Sequence, residues 1–359
     1  MQPIPIRLPS GATFDHLLPI AHERAIRGAA AANRPLLIRG EPGVGKSQIA
    51  YAAASLLQRP LKTFTINANT ESQDLLWSFD AVARLAESQI LPDKSGWFSN
   101  EKEKAEEEKA EKEKAEQDYR ARIDLKKFVK PGPLWWAIDW ETASNLDPDS
   151  RPQFVSDCEP GWKLEHGIVV LVDEIDKAES SVPNGLLEIF GARQLQPTGW
   201  SQPIVAKKET KAPLVIITTN EDRMLPTAFI RRCFVLEIKL LPCLDSDGND
   251  IRGKAYDEFL DYFVKLGHAH FNGLLPEPVY LEAAKMLLKD RIAAIRSQET
   301  HKPGPAEYID LLSAIQEWDS VDPPSETTKN QPKRTEKEFL ELCEHLQEFV
   351  FRKNTRSVG

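Results

Sequence analysis

Residues 40–47 of this chain read Gly40-Glu41-Pro42-Gly43-Val44-Gly45-Lys46-Ser47, directly after the apolar run Leu36-Leu37-Ile38 and before a helix-forming stretch. A segment of the form GxxxxGK[ST] in that setting constrains the fold strongly. A strand must end, the backbone must turn back on itself, and a helix must start, all within one short loop. The glycines let the backbone close around phosphate groups with its N–H groups pointing inward, and the helix beginning near Lys46 adds its positive dipole end. Lys46 is suited to the outer phosphates as a point charge, and the Ser47 hydroxyl to the magnesium that bridges them. With Gln48 in the first helical turn, residues 40–48 are the candidate nucleotide-binding segment. The loop alone does not separate ATP from GTP.

From Pro35 to about residue 240 the apolar runs LKTFTI, GIVVLVDEID, APLVIITTN and FVLEIKL alternate with helix-like segments. That rhythm predicts an α/β fold, a parallel sheet covered by helices. Residues 13–33 are expected to form one helix feeding the first strand. After Pro242 the β-branched strands stop and four amphipathic helices follow, which places an α/β domain at 1–243 and a helical lid at 244–359. The polar stretch VDPPSETTKNQPKRT between the last two helices reads as a loop. Residues 101–117, built of Glu, Lys, Ala and one Gln, read as a solvated helix without an apolar stripe.

GIVVLVDEID is a buried strand ending in acids. At the carboxyl end of a parallel strand beside the phosphate loop, Asp173 can hold magnesium and Glu174 can polarise the attacking water. Asp176 and Lys177 read as turn residues. A second buried strand ends in Thr218-Thr219-Asn220, which places a neutral amide near the γ-phosphate or the nucleophilic water and makes Asn220 a candidate sensor. Arg231 and Arg232 precede the next strand. A guanidinium supplied from there across a subunit boundary would neutralise charge developing on the γ-phosphate.

The phosphate loop, the acidic strand end, the TTN strand end and the following arginines, in that order, resemble the AAA+ superfamily. Within it the chain looks most like the MoxR family, on the stretches ESQDLLWSFDAVARL, KPGPLWWAIDW and NGLLEIFGARQLQPTGW. The resemblance implies a five-stranded sheet in the order 5-1-4-3-2, an insertion in helix two at about 72–165, a hairpin at about 194–206, and a helical lid. It also implies ATP and Mg2+ as ligands, a ring oligomer of hexameric type, and chaperone-like remodelling of a protein partner, such as one bearing a von Willebrand factor A domain. Many AAA+ lids carry an arginine that senses nucleotide, but the corresponding helix here, HKPGPAEYIDLLSAI, has none in its first turn. Lys302, or Arg296 upstream, is the candidate for that role.

Composition narrows the alternatives. A net charge of −9 argues against bulk attraction to nucleic acid. The N-terminus lacks a basic flank followed by an apolar core and no apolar run approaches bilayer length, so no membrane association and a cytoplasmic location are expected. The four cysteines lie far apart and are expected to be reduced and mostly buried. DSDGND departs from a calcium loop and reads as a turn. His268 and His270 read as surface residues, and Trp135-Trp136 as apolar anchors of the insertion. A nucleic-acid-directed or nuclease-recruiting NTPase and a slow ATP-gated assembly switch are the competing functions.

Overall fold

The computed structural model describes residues 2–7, 13–89, 117, 119–154, 166–321 and 335–352. The expected charged helix, apart from Gln117, and most of the loop after Val321 lie outside them. In chain order the strands are β1 (Gln2–Arg7), β2 (Thr13–Leu18), β3 (Leu36–Gly40), β4 (Leu61–Thr65), β5 (Trp77–Phe79), β6 (Val129–Pro131), β7 (Val169–Asp173), β8 (Gln194–Leu195), β9 (Ile204–Val205), β10 (Leu214–Thr219) and β11 (Phe234–Ile238). The helices are α1 (Ile20–Ala31), α2 (Lys46–Leu57), α3 (Ala81–Gln89), α4 (Pro133–Ile138), α5 (Trp140–Leu146), α6 (Ser181–Ala192), α7 (Thr227–Ile230), α8 (Lys254–Phe271), α9 (Glu277–Arg296), α10 (Pro305–Val321) and α11 (Glu336–Phe351).

Five strands form one parallel sheet in the order β11-β3-β10-β7-β4. Numbered along the chain, that order is 5-1-4-3-2, as the family resemblance implied. The inner strands β3, β7 and β10 are apolar up to their carboxyl ends because both faces are covered, and successive residues divide between them, whereas the edge strands β4 and β11 carry Lys62, Thr63 and Glu237. Leu36, Ile38, Val169, Leu171, Leu214 and Ile216 pack against Ile26 of α1 and the alanine-rich face of α2. Leu37, Val170, Val172, Val215 and Ile217 pack against Trp135 and Trp136 of α4, Leu186 of α6 and Phe229 of α7.

The two tryptophans are fully buried. Trp135 donates from Nε1 to Thr142 Oγ1 at 2.8 Å and meets the Trp200 ring edge-on at 5.5 Å, which ties the segment between β8 and β9 to the sheet. Trp135→Ala is therefore expected to lower stability by about 3–5 kcal/mol, read as a shift of the urea unfolding midpoint. An unchanged midpoint would remove Trp135 from the core account.

The structure corrects the single helix expected over 13–33. Residues 13–18 are β2, paired antiparallel with β1, and the helix starts only at Ile20. Pro19 is the reason. It sits extended as the N-cap of α1, at φ −62° and ψ 145°, and the residue before a proline is itself disfavoured in helical conformation. In β1, Ile4 and Ile6 are buried while Pro3, Pro5 and Arg7 face out, so the prolines fall on the exposed face of a two-stranded ribbon.

Helices α8 to α11 enclose a second core around Phe259, Phe263, Tyr280, Leu287, Tyr308 and Leu311. Buried Asp290 of α9 accepts from Gln347 Nε2 at 2.7 Å and Arg352 Nη2 at 3.1 Å, which fastens α11. The β1–β2 ribbon touches both cores. Ser55 Oγ of α2 donates to the Pro5 carbonyl at 2.9 Å, and Phe14 stacks on His270 of α8 with ring centroids 4.1 Å apart.

Candidate active site

At the carboxyl ends of β3, β7 and β10 lies a cavity of about 430 Å³, a volume in the range of small-ligand pockets. Residues 42–48, Asp173, Glu174, Thr218 and Asn220 form one side. His16 and Leu17 of β2, Tyr262, Leu266 and His270 of α8, and Pro305, Ala306, Ile309 and Asp310 of α10 form the other. The α/β core thus supplies the polar wall and the helical domain much of the apolar one.

Gly43 and Gly45 have φ of +77° and +87°, a region that side-chain-bearing residues rarely adopt. Gly45 is the N-cap of α2, so this turn delivers Lys46 and Ser47 to the helix start. The buried Lys46 ammonium donates to the carbonyls of Gly40 at 2.9 Å and Glu41 at 2.8 Å. Burial pulls its pKa below the ordinary lysine value, opposed by the charges of Asp176 and Asp173.

The sheet brings the acids to the loop. Ser47 Oγ donates to the Asp173 carboxylate at 2.9 and 3.0 Å across 126 residues of sequence. Thr218 Oγ1 donates to Asp173 Oδ1 at 2.5 Å and accepts the Glu174 N–H at 2.9 Å, so one hydroxyl positions both acids. Glu174 itself is left-handed, at φ +61°, and its carboxylate pairs with Lys177 Nζ at 2.5 Å. Asp176 is buried, and its Oδ2 accepts the N–H groups of Asn220 at 3.1 Å and Asp222 at 3.0 Å. It thereby tethers the turn after β10 that carries Asn220.

Other expected site residues lie apart from the cavity. Gly40 and Glu41 do not line it, and the Glu41 carboxylate turns instead to Arg291 Nη2 at 2.6 Å. Arg231 and Arg232 are exposed at the end of α7, where Arg232 Nη1 donates to the Ala228 carbonyl at 3.1 Å. Lys302 is exposed, and its contribution is a carbonyl that accepts from Arg291 Nη1 at 3.4 Å. Arg296 pairs with Asp250 at 2.7 Å, away from the phosphate loop. At the start of α10, Ala306 donates its N–H to the Gly43 carbonyl at 3.1 Å.

His270 is corrected from a surface residue to a cavity residue. Burial lowers its pKa to about 4, and burial together with the neighbouring His270 and His22 lowers that of His16 to about 4, so both rings are neutral at pH 7. His268 is half-exposed and bonds Glu277 at 2.6 Å. The roles of Thr218, Asp176 and Arg291 and the apolar wall escaped the sequence reading. For Thr218 and Asp176 a signal existed, since both sit within three residues of assigned acids or amides. The α8 and α10 parts of the wall and Arg291, which contacts the loop at Glu41, carry no local signal, because they come from helices more than 200 residues from that loop.

The donor set suits a nucleotide with magnesium. Ser47 and Asp173 are hard oxygen donors already held together, the form of ligand that Mg2+ prefers. The glycine turn, in turn, offers backbone N–H groups beside a lysine whose two carbonyl partners can be exchanged for phosphate oxygens.

Residues 35–96 match the family model for the AAA domain, dynein-related subfamily. A comparison with curated protein sequences finds no match. Among solved structures the chain is similar to a Cytophaga hutchinsonii protein provisionally described as an ATPase, at 12% identity over 92% of this chain and 80% of that one, with a TM-score of 0.33. It is also similar to the Thermotoga maritima RuvB Holliday junction branch migration motor, at 13% identity over 91% and 67% of the two chains, with a TM-score of 0.39. A point mutant of that RuvB gives 13% identity, 90% and 67% coverage, and a TM-score of 0.41. At these values the structural likenesses carry no functional argument. Among the described residues, no helix is long and apolar enough to cross a membrane.

Proposed function

We propose that this chain hydrolyses ATP at the subunit interfaces of a ring, of hexameric type, and uses the cycle to remodel or activate a protein partner in the manner of MoxR-like AAA+ ATPases. The observation that carries the hydrolytic part is the convergence of Lys46, Ser47, Asp173, Glu174 and Asn220 on one cavity from three strand ends. Ser47 and Asp173 are the residues that would hold magnesium, which when bound supplies positive charge to the outer phosphates.

In this reading Lys46 leaves the Gly40 and Glu41 carbonyls for the outer phosphate oxygens. Glu174 accepts a proton from the attacking water, which requires its carboxylate to exchange Lys177 for that water. Asn220, held by the Asp176 tether, directs its amide at the reacting end. Because Arg231 and Arg232 are exposed and outside their own chain's cavity, the arginine they supply is one for a neighbouring subunit. Hydrolysis then depends on assembly. A protein bearing a von Willebrand factor A domain is the partner class that the family resemblance suggests.

The direct test is equilibrium binding of Mg-ATP by wild type and Lys46→Ala, with turnover per subunit followed across protein concentration. Wild type is expected to bind, the variant to bind at least about tenfold more weakly, and specific turnover to rise as subunits assemble. Equal binding by both proteins would sink the nucleotide-site reading. Turnover per subunit independent of concentration, in a range where assembly changes, would sink the interface reading.

A further inference from the structure

We propose that Arg291 of the helical domain is a positioning residue for nucleotide, neutralising and holding aside the one carboxylate that the phosphate loop carries. The inference rests on the ATP-binding reading above. Glu41 stands in the loop, and an ionised carboxylate there repels the polyphosphate the loop is built to receive. In the structure that charge is met from the other domain. Arg291 Nη2 contacts Glu41 Oε2 at 2.6 Å, while Nη1 donates to the Pro303 carbonyl at 2.9 Å. The Arg291 side chain is 6% exposed, so the guanidinium is withdrawn from water and fixed by the helix and by the turn before α10.

The same loop residue links this pair to the lysine. The Glu41 carbonyl accepts from Lys46 Nζ at 2.8 Å, and its side chain is the one Arg291 grips. A second contact lies two residues on, where the Ala306 N–H donates to the Gly43 carbonyl. The helical domain therefore holds the loop at 41 through charge and at 43 through backbone. A buried guanidinium is costly unless paired, so docking of the two domains alone would be served as well by apolar residues. What the charge adds is cancellation of Glu41. Arg291 does not line the cavity, and it acts on nucleotide only through Glu41.

This electrostatic role predicts rescue that a packing role does not. In the full-length chain, Arg291→Gln is expected to weaken Mg-ATP binding by about tenfold at low ionic strength, less for Mg-ADP, and less for both at high salt. Glu41→Gln alone tightens ATP binding. The double variant returns to within about threefold of wild type, because the unpaired carboxylate is gone. Arg291→Lys, which keeps the charge, loses less than Arg291→Gln and covers the case in which the glutamine variant fails to fold.

A double variant as weak as Arg291→Gln, a loss indifferent to salt, or a lysine variant no better than glutamine would overturn the proposal. If wild type shows no ATP binding that Lys46→Ala abolishes, the ATP reading itself fails, an outcome separate from any result with Arg291.

Discussion

Glu174→Gln is expected to lower steady-state ATP turnover by about 10²–10⁴-fold while Mg-ATP binding is kept, measured as phosphate release against retained nucleotide. Glutamine has nearly the shape of glutamate but cannot take a proton from water. The groups proposed to hold phosphate (Lys46) and magnesium (Ser47 and Asp173) take their hydrogen bonds from partners other than the Glu174 side chain, so binding should be spared. The left-handed backbone at Glu174 and its N–H bond to Thr218 depend on main chain and are also kept. The variant additionally loses the ion pair with Lys177, which is exposed and contributes little to stability. Turnover at the wild-type rate would remove Glu174 from the role of base.

The second large effect is expected at Arg231 and Arg232. Replacing both by alanine is expected to reduce turnover in the assembled protein by about 10³–10⁵-fold, the loss associated with removing an arginine finger. Stability should change little, since both side chains are exposed and Arg232 donates only to a carbonyl of its own short helix. Mixing this double variant with Glu174→Gln is informative. Each protein lacks a different half of an interface site, so mixed rings contain junctions in which both halves are intact, and those junctions should regain turnover. No recovery in mixtures shown to co-assemble would mean that the arginines do not act across subunits.

How much of this was legible in the sequence depended on whether the cause was local. The loop 40–47, the acids at 173 and 174 and the TTN strand end are contiguous patterns, and the parallel sheet brings them together because strand ends of one sense lie on one edge. The helix expected over 13–33 failed because apolar spacing outweighed Pro19, although a proline there dictates the break. The lid sensor was sought at Lys302 and Arg296 because the family's arginine is expected near the start of α10. In the structure Arg296 pairs with Asp250, and a buried arginine that meets the loop from α9 is Arg291, a turn and a half earlier. A polar residue in the middle of an amphipathic helix gives no sign, in one dimension, that its partner lies in a distant loop.

The ion pair between Glu41 and Arg291 joins residues separated by 250 positions. A ribosome adding about 5–20 residues per second takes roughly 13–50 s to make that stretch. Through most of that interval residues 40–47 have been made, but β10 and β11, which flank β3 in the sheet, the wall of α8 and the Arg291 cation have not, and α10 follows later still. The nascent chain accordingly has α2 available early to cover Ile4, Ile6 and Leu18 of the ribbon, whereas Phe14 and His16 wait for α8. Closure of the cavity thus waits until α10 has been made, more than 250 residues after the phosphate loop.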